Sequence, residues 1–145
     1  EVAQPTDMAM ALEELRSDAE RHGHTATVAF HGLPVVTVKP ASFKRCLANL
    51  VSNAARHANT ISITGQRDHR YLNITIDDDG PGIPADMREE VFKPFLRLDD
   101  ARNQDEGGSG LGLAIARDIA RSHGGDILLS ESPMGGLRAA VRVPV

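Results

Sequence analysis

Two stretches of strictly alternating apolar and polar residues limit the folds open to this 145-residue chain. Residues 61–64 and 72–76 carry an apolar side chain at every second position, which is the pattern of β-strands with one buried face. The polar residues 67–70 between them predict the turn of a hairpin. Further short strands are predicted at residues 25–30, 35–38, 127–129 and 139–143.

Stretches of helical periodicity separate these strands. The first runs from Thr6, a candidate N-cap, to about residue 21, and the second from Pro40 to about residue 56. The third runs from Leu111 to about residue 122 and ends in a glycine cap at 123–125, and a short helix is expected after Pro84. This order predicts a single α/β domain over residues 1–145, a two-layer sandwich in which about three helices cover one face of a mixed β-sheet.

Composition excludes some classes of function. A net charge of −4 does not indicate a nucleic-acid partner. The single cysteine, Cys46, cannot form an internal disulfide and is expected to be a small apolar residue of the second helix. No apolar run reaches transmembrane length, and a chain that begins at Glu1 without Met is expected to be a fragment of a longer protein.

The second helix carries an apolar stripe on one side and Asn49, Asn53, Arg56 and His57 on or beside the other. Asparagine is a mediocre helix former, so two of them one turn apart in mid-helix favour a function. Their amide oxygens can ligate a hard cation, and Arg56 can reach a phosphate. The alternative, a solvated helix face with no further role, remains open from these residues alone.

A first glycine motif follows the predicted strand 72–76. The carboxylate of Asp78 stands at the strand end, where it can accept a hydrogen bond from an exocyclic amino group such as that of adenine. Gly80 and Gly82 allow the backbone to approach a flat base. The alternative is a simple Asp-Gly turn. Asp77 and Asp79 are expected to be solvated, because strand alternation points them away from Asp78.

A second glycine motif contains Gly108, Gly110 and Gly112 and leads directly into the third helix. Backbone amides at such a junction, together with the helix dipole, suit a phosphate group. The spacing is neither that of a Walker motif nor that of a dinucleotide-binding strand–turn–helix. The polar residues 97–109 predict a lid over a triphosphate, with one of its arginines, Arg97 or Arg102, near the terminal phosphate; a solvated surface loop is the alternative.

Taken in order, these motifs resemble the ATP-binding catalytic domain of bacterial sensor histidine kinases. The asparagine stretch resembles the N box of that family, and residues 78–83, 91–95 and 108–113 resemble its D-x-G-x-G, F and G-x-G-L-G-L boxes. Residues 44–58, 77–84 and 135–137 are most similar to EnvZ-type osmosensing kinases. The resemblance implies the Bergerat α/β sandwich, ATP and Mg²⁺ as ligands, and protein-histidine kinase activity.

The resemblance also implies a role for each matching residue. Asn53 would ligate Mg²⁺ with help from Asn49, Asp78 would bind the adenine amino group, and His57 would lie against the base or ribose. The implied catalytic residues are Asn49, Arg56 and Arg97. The implied ATP-binding residues are Asn49, Asn53, Arg56, His57, Asp78, Gly80, Gly82, Ile83, Phe92, Phe95, Gly108, Gly110, Leu111 and Gly112. The two phenylalanines also fit anchors for the base of the lid.

None of the six histidines lies in the His-Glu-x-x-x-Pro setting of the family's phosphoacceptor. The resemblance therefore implies a partner domain outside this chain that supplies dimerisation and the phosphoacceptor histidine. It further implies a downstream response regulator and a homodimeric parent in the bacterial inner membrane, with this domain in the cytoplasm. At the end of the glycine pair 135–136, Leu137 and Arg138 stand where many relatives carry threonine near the adenine.

One position separates kinase from ATPase. Related ATPases of the gyrase, MutL and heat-shock type carry a glutamate one turn before the metal-binding asparagine, where it activates water. Here that position is Asn49, which accepts no proton at neutral pH, so slow hydrolysis and transfer to an external nucleophile are expected. A stand-alone ATPase, a serine kinase of the anti-sigma type and a degenerate protein-binding module remain as alternatives.

Overall fold

The computed structural model describes residues 1–94 and 111–145. Its strands and helices are, in chain order, β1 (Gln4–Asp7), α1 (Met8–Arg21), β2 (Thr25–His31), β3 (Val35–Val38), α2 (Pro40–His57), β4 (Thr60–Arg67), β5 (Tyr71–Asp78), α3 (Gly112–Ser122), β6 (Asp126–Glu131) and β7 (Leu137–Pro144). In place of the helix expected after Pro84 there are two 3₁₀ turns, Ala85–Met87 and Glu90–Phe92. No helix within these two described segments is long and apolar enough to cross a membrane.

The main sheet has five strands in the order β2-β4-β5-β7-β6, and the three helices pack on one of its faces. Only β2 and β4 are parallel neighbours, so the sheet is mixed. The inward-facing residues of β4 and β5, such as Ile63 and its partner Ile76, are almost fully buried. The predicted two-layer α/β sandwich and its central hairpin are therefore confirmed.

The N-terminal region differs from the prediction. Residues 4–7 form a strand that pairs antiparallel with β3 in a separate two-stranded sheet, so β3 does not join the main sheet. Thr6 lies within this strand opposite Val36, one residue too early to cap α1, and its hydroxyl donates instead to the carbonyl oxygen of Gln4 at 2.9 Å. The N-cap is Asp7, whose Oδ1 accepts the N–H of Met10 at 3.0 Å.

Helices α2 and α3 lie side by side and run antiparallel. The backbone N–H of Lys39, before α2, contacts the ring of His123, after α3, while Cys46 in α2 contacts the carbonyl oxygen of Ala116 in α3. Contacts further along α2 are therefore made by residues further back along α3. Continued in the same direction, this places the first residues of α3 beside the middle of α2. The glycine cap predicted at the end of α3 is confirmed, with φ of +84° at Gly124.

Candidate functional site

The carboxylate of Asp78 is the most constrained polar group at the end of β5. Its side chain is only 4% exposed, and Oδ1 accepts two backbone N–H groups, from Gly80 at 2.9 Å and from Leu137 at 3.0 Å. No hydrogen bond from the described residues reaches Oδ2. The fold thus fixes one oxygen of a buried carboxylate and leaves the other for a donor from outside the described residues.

The turn before β7 closes tightly over this carboxylate. The backbone N–H of Gly136 donates to the carbonyl oxygen of Asp78 at 3.1 Å, and a Cβ on Gly136 would stand 2.2 Å from Oδ1. Only glycine fits such an approach. Sequence reasoning did not include Gly136 among the site residues, although the paired glycines before the last strand are a signal for a close backbone contact.

The expectation that Asp77 is solvated is wrong. Its side chain points to the other face of the sheet, as alternation requires, but the residue is only 5% exposed and its carboxylate binds Arg138. The guanidinium donates from Nε at 2.8 Å and from a terminal nitrogen at 3.0 Å, and this hydrogen bonding raises the pKa of Arg138. The pair forms because Asp77 and Arg138 are direct partners across β5 and β7.

Asp79 is exposed, as expected, but it also has partners. Its Oδ1 accepts the N–H groups of Asn59 and Thr60, each at 3.0 Å. The hydrogen bond from the Thr60 backbone is the main cause that lowers the pKa of the Asp79 carboxyl. Asp79 thereby ties the end of β5 to the start of β4, directly beside Asp78.

Helix α2 presents its asparagines as the sequence predicts, with Leu47, Leu50, Val51 and Ala54 buried on the opposite side. Asn49 and Asn53 are half-buried. The Asn49 Nδ2 is fully buried and has no hydrogen-bond partner in the described chain. Because an unpaired buried amide costs about 1–3 kcal/mol, it marks a place where an external acceptor is expected.

The end of α2 lies against the first glycine motif. A Cβ on Gly80 would stand 2.8 Å from the carbonyl oxygen of His57, so the two segments are in close contact. Gly82 has φ of +75°, a conformation that favours glycine. Arg56 is half-buried and forms no ion pair with a described residue, and the His57 side chain is exposed. Asp78 and the asparagine helix thus line the same end of the molecule.

The remaining predicted residues fall into two groups. Phe92 is 6% exposed and lies beneath the guanidinium of Arg117, 4.1 Å from the ring centroid, which fits the anchoring interpretation. Ile83 is half-buried and its carbonyl oxygen accepts the Arg88 Nε at 3.1 Å. Phe95, Arg97, Gly108, Gly110 and the predicted lid at 97–109 lie outside the described residues.

The first turn of α3 is open at its N-terminal end. Leu111 is the N-cap residue, and its side chain makes no capping hydrogen bond. A Cβ on Gly112 would meet no described atom within 4 Å. No described residue caps the first backbone N–H groups of this turn, which can therefore receive an anion, and the antiparallel packing places them beside the middle of α2.

Residues 38–145 match the family model described as histidine kinase-, DNA gyrase B-, and HSP90-like ATPase. The chain belongs to this ATPase family. Sensor histidine kinase CpxA of Escherichia coli strain K12 is 38% identical over 136 residues, covering 92% of this chain and 30% of CpxA. Sensor histidine kinase GtrS of Pseudomonas aeruginosa is 41% identical over 106 residues, covering 73% of this chain and 22% of GtrS.

Among solved structures, the ATP binding domain of PrrB from Mycobacterium tuberculosis superposes with a TM-score of 0.83 and 27% identity, covering 99% of this chain and 98% of that one. The resemblance to the ATP-binding domains of sensor histidine kinases is therefore confirmed. The chain spans less than a third of the length of the curated relatives CpxA and GtrS.

Proposed function

We propose that this domain binds Mg-ATP and donates the γ-phosphoryl group to a histidine on a separate phosphoacceptor domain. The observation that carries the proposal is the buried Asp78 carboxylate, with Oδ1 held by two backbone N–H groups beside the half-buried asparagines of α2. Membership of the ATPase family supports the nucleotide as the ligand.

The base would bind at the end of β5. The amino group of adenine donates a hydrogen bond, which Asp78 Oδ2 can accept, whereas guanine presents a carbonyl acceptor at the equivalent position. Two acceptors facing each other would repel, so the buried carboxylate selects adenine over guanine. The close contacts of Gly80, Gly82 and Ile83 would shape the surface beside the base, with His57 at its edge.

The residues of α2 fit a hard cation such as Mg²⁺, because Asn49 and Asn53 offer amide oxygens one helical turn apart. The buried Nδ2 of Asn49, which lacks an acceptor in the described chain, would donate to a phosphate or water oxygen. Asn53 would hold the ion and Asn49 would assist. When bound, Mg²⁺ would neutralise charge on the triphosphate oxygens. Arg56 and the amides of Leu111 and Gly112 would bind the phosphates. The sequence motifs alone add Arg97, Gly108 and Gly110 to these phosphate-binding residues.

Asn49 determines which nucleophile reacts. Its carboxamide is neutral and accepts no proton from water, so the domain itself has no base for hydrolysis at this position. An imidazole nitrogen from the partner domain attacks with its lone pair and forms a P–N bond. The bond between the γ-phosphorus and the bridging oxygen breaks, and ADP leaves with that electron pair. Catalysis by the domain then consists of positioning and charge neutralisation.

The parent protein supplies the other components in this proposal. Residues 1–145 would form its catalytic and ATP-binding domain, and a dimerisation domain would carry the phosphoacceptor histidine. A response regulator would take the phosphoryl group onward. The parent would be a homodimeric sensor in the inner membrane with this domain in the cytoplasm. The similarity to two sensor histidine kinases supports this arrangement.

The first test is titration of the chain with a non-hydrolysable ATP analogue, with and without Mg²⁺. Transfer from ATP to the phosphoacceptor hairpin of the parent is measured next. Mg²⁺-dependent binding and an acid-labile phosphohistidine are expected. Phosphate release without the hairpin at about 1 s⁻¹ or more would instead identify an ATPase. Phosphoserine, which is stable to acid, would identify a serine kinase. Absence of nucleotide binding would mean either a degenerate module or a lid that needs its partner domain, and adding the phosphoacceptor hairpin would separate the two.

A further inference from the structure

A single histidine ring joins the two helices that carry the proposed metal and phosphate ligands. His123 follows the last residue of α3, and its Nε2 accepts the backbone N–H of Lys39, the N-cap residue of α2, at 3.1 Å. The ring also packs edge-on against Phe43 in the first turn of α2, with centroids 5.2 Å apart. The contact lies at the opposite ends of both helices from the nucleotide-binding residues.

Every backbone N–H at the start of α2 has an acceptor, and His123 provides one of these acceptors. The N–H groups of Ala41 and Ser42 donate to the Glu1 carboxylate at 2.6 and 3.0 Å, and Pro40 has no N–H. The Lys39 N–H has no other acceptor among the described residues, so it depends on the imidazole. Loss of this acceptor would leave a part-buried donor unsatisfied at the root of α2.

The two ring contacts require one form of the imidazole. Nδ1 lies 2.8 Å from the carbonyl oxygen of Ile119. Because a carbonyl oxygen only accepts, Nδ1 must donate. Nε2 faces the backbone N–H of Lys39, which only donates, so Nε2 must accept. The partners therefore assign a neutral ring with the proton on Nδ1. Nδ1 completes the C-terminal end of α3, while Nε2 reaches across to α2, so the ring connects both backbones directly.

A second contact fixes the middle of the helix pair. The buried Cys46 thiol of α2 donates to the carbonyl oxygen of Ala116 in α3 at 3.3 Å. Burial raises the pKa of this thiol to about 12, so it stays protonated and remains a donor. Two contacts separated along the pair determine an angle between the helices, which one contact alone does not.

The angle matters because α3 acts as a lever. Its 11 residues span about 16 Å from the histidine end to the Gly112 end. Without the bond at His123, the pair can turn about the Cys46–Ala116 contact, about 6 Å from Gly112 along α3, so a tilt of about 10° there would move the phosphate-binding amides by about 1 Å relative to Asn49 and Asn53. Displacements of about 1 Å at a reacting group can cost a hundredfold in rate.

We propose that His123 is a positioning residue for the nucleotide site, setting the angle at which the phosphate-binding end of α3 stands against the asparagines of α2. This inference rests on the proposed function. It predicts that the ring controls binding of the Mg²⁺-bound triphosphate, which needs both helices. Binding of adenosine, which needs Asp78 and its glycines, does not depend on it.

The test compares His123→Asn with His123→Gln. Asparagine places its amide near Nδ1 and can still bond to Ile119, but it does not reach Lys39, whereas the glutamine Oε1 reaches the position of Nε2 and can accept the Lys39 N–H. The matched control is His22→Asn. His22 is the C-cap of α1 and contacts the carbonyl oxygen of Asp18 at 2.8 Å, the same local bond without a bond to another helix.

Affinities for adenosine and for an Mg²⁺-bound, non-hydrolysable ATP analogue are measured by calorimetry. His123→Asn is expected to weaken the analogue about tenfold or more while adenosine stays within about twofold. The His123→Gln and His22→Asn variants should bind both ligands with affinities close to those of the unmutated chain. If His123→Asn does not fold, Lys39→Pro breaks the same bond from the other side, since its φ of −80° suits proline and the ring is left intact.

The outcomes separate the two proposals. Equal weakening of adenosine and analogue in the Asn or Pro variant would show a general structural role and overturn the positioning role. Unchanged affinity for both ligands would overturn it as well. If the unmutated chain binds neither ligand, the proposed function itself is refuted, and this inference with it.

Discussion

Asp78 is the residue on which recognition of the base depends, and the way its carboxylate is held makes a sharp variant available. In Asp78→Asn, the amide oxygen can still accept the N–H groups of Gly80 and Leu137, so the fold is preserved. The amide nitrogen then faces the adenine amino group, and two donors meet. ATP affinity is expected to fall by about 1.5–3 kcal/mol, about ten- to a hundredfold, measured by calorimetry.

The neighbouring carboxylate provides the control for this prediction. Asp79 also accepts two backbone N–H groups through Oδ1, but it is exposed and ties β5 to β4. Asp79→Asn keeps an acceptor there and should leave ATP affinity unchanged at neutral pH. Equal loss of affinity in both variants would contradict a specific role for Asp78 Oδ2.

At this scale the sequence predicts one aspartate correctly and misplaces another. Asp78 was predictable as a site residue because it ends an alternating strand and is followed by glycines that permit close approach. The burial of Asp77 was not, because its partner Arg138 lies 61 positions along the chain. Their contact depends on the register of β5 against β7, which local alternation does not specify.

At the scale of elements, the exposed face of α2 carries the metal-binding prediction. Asn53→Ala removes the amide oxygen proposed to hold Mg²⁺, and alanine is a good helix former, so α2 should remain folded. The analogue is expected to bind equally with and without Mg²⁺ in this variant. The adjacent, exposed Ser52→Ala should retain the Mg²⁺ enhancement. Persistent enhancement in Asn53→Ala would place the metal ligand elsewhere.

The pair β5 and β7 offers a second element-scale prediction. Arg138→Met removes the two hydrogen bonds to Asp77 and leaves a buried carboxylate unpaired. Because the Arg138 side chain is 39% exposed, water offsets part of the loss, and a destabilisation near the lower end of about 1.5–3 kcal/mol is expected in urea unfolding. Asp77→Asn combined with Arg138→Met should cost less than the sum of the single variants, and additive costs would show that the pair is not coupled.

A helix or strand could be predicted from the sequence where its own residues carry the pattern that determines it. The helices and the central hairpin carry their own periodicity, so their type and approximate limits were predicted. Strand β1 was missed because Gln4–Asp7 has no alternation of apolar residues, and its pairing with β3 is a contact that the local sequence does not specify. For the same reason Thr6 was mistaken for the helix cap, since a strand that ends at Asp7 moves the start of α1 by one residue.

At the scale of the whole molecule, three exposed carboxylates hold junctions between segments of the fold. The side-chain hydrogen bond from Ser42 lowers the pKa of Glu1, and backbone hydrogen bonds from Arg70 and Thr60 lower those of Asp68 and Asp79, respectively. Glu1 joins the N-terminus to α2, Asp68 closes the β4–β5 turn, and Asp79 joins β5 to β4. Each of these hydrogen bonds is stronger when its carboxylate is charged.

The sign of the resulting pH dependence follows from linkage. A carboxyl group whose pKa is lower in the folded chain contributes stability above its unfolded pKa of about 4 and loses it as the pH falls through the folded value. The free energy of unfolding should therefore change little from about pH 8 to 5 on account of these groups and decline below about pH 4. Asp79→Asn accepts the same N–H groups without titrating, so its decline should be shallower in urea unfolding across this range. The control is Asp86→Asn, at an exposed carboxylate with no hydrogen bond to a described residue, and its stability should vary with pH as in the unmutated chain. If Asp86→Asn reduces the loss of stability below about pH 4 as much as Asp79→Asn does, general charge repulsion rather than these hydrogen bonds would govern acid unfolding.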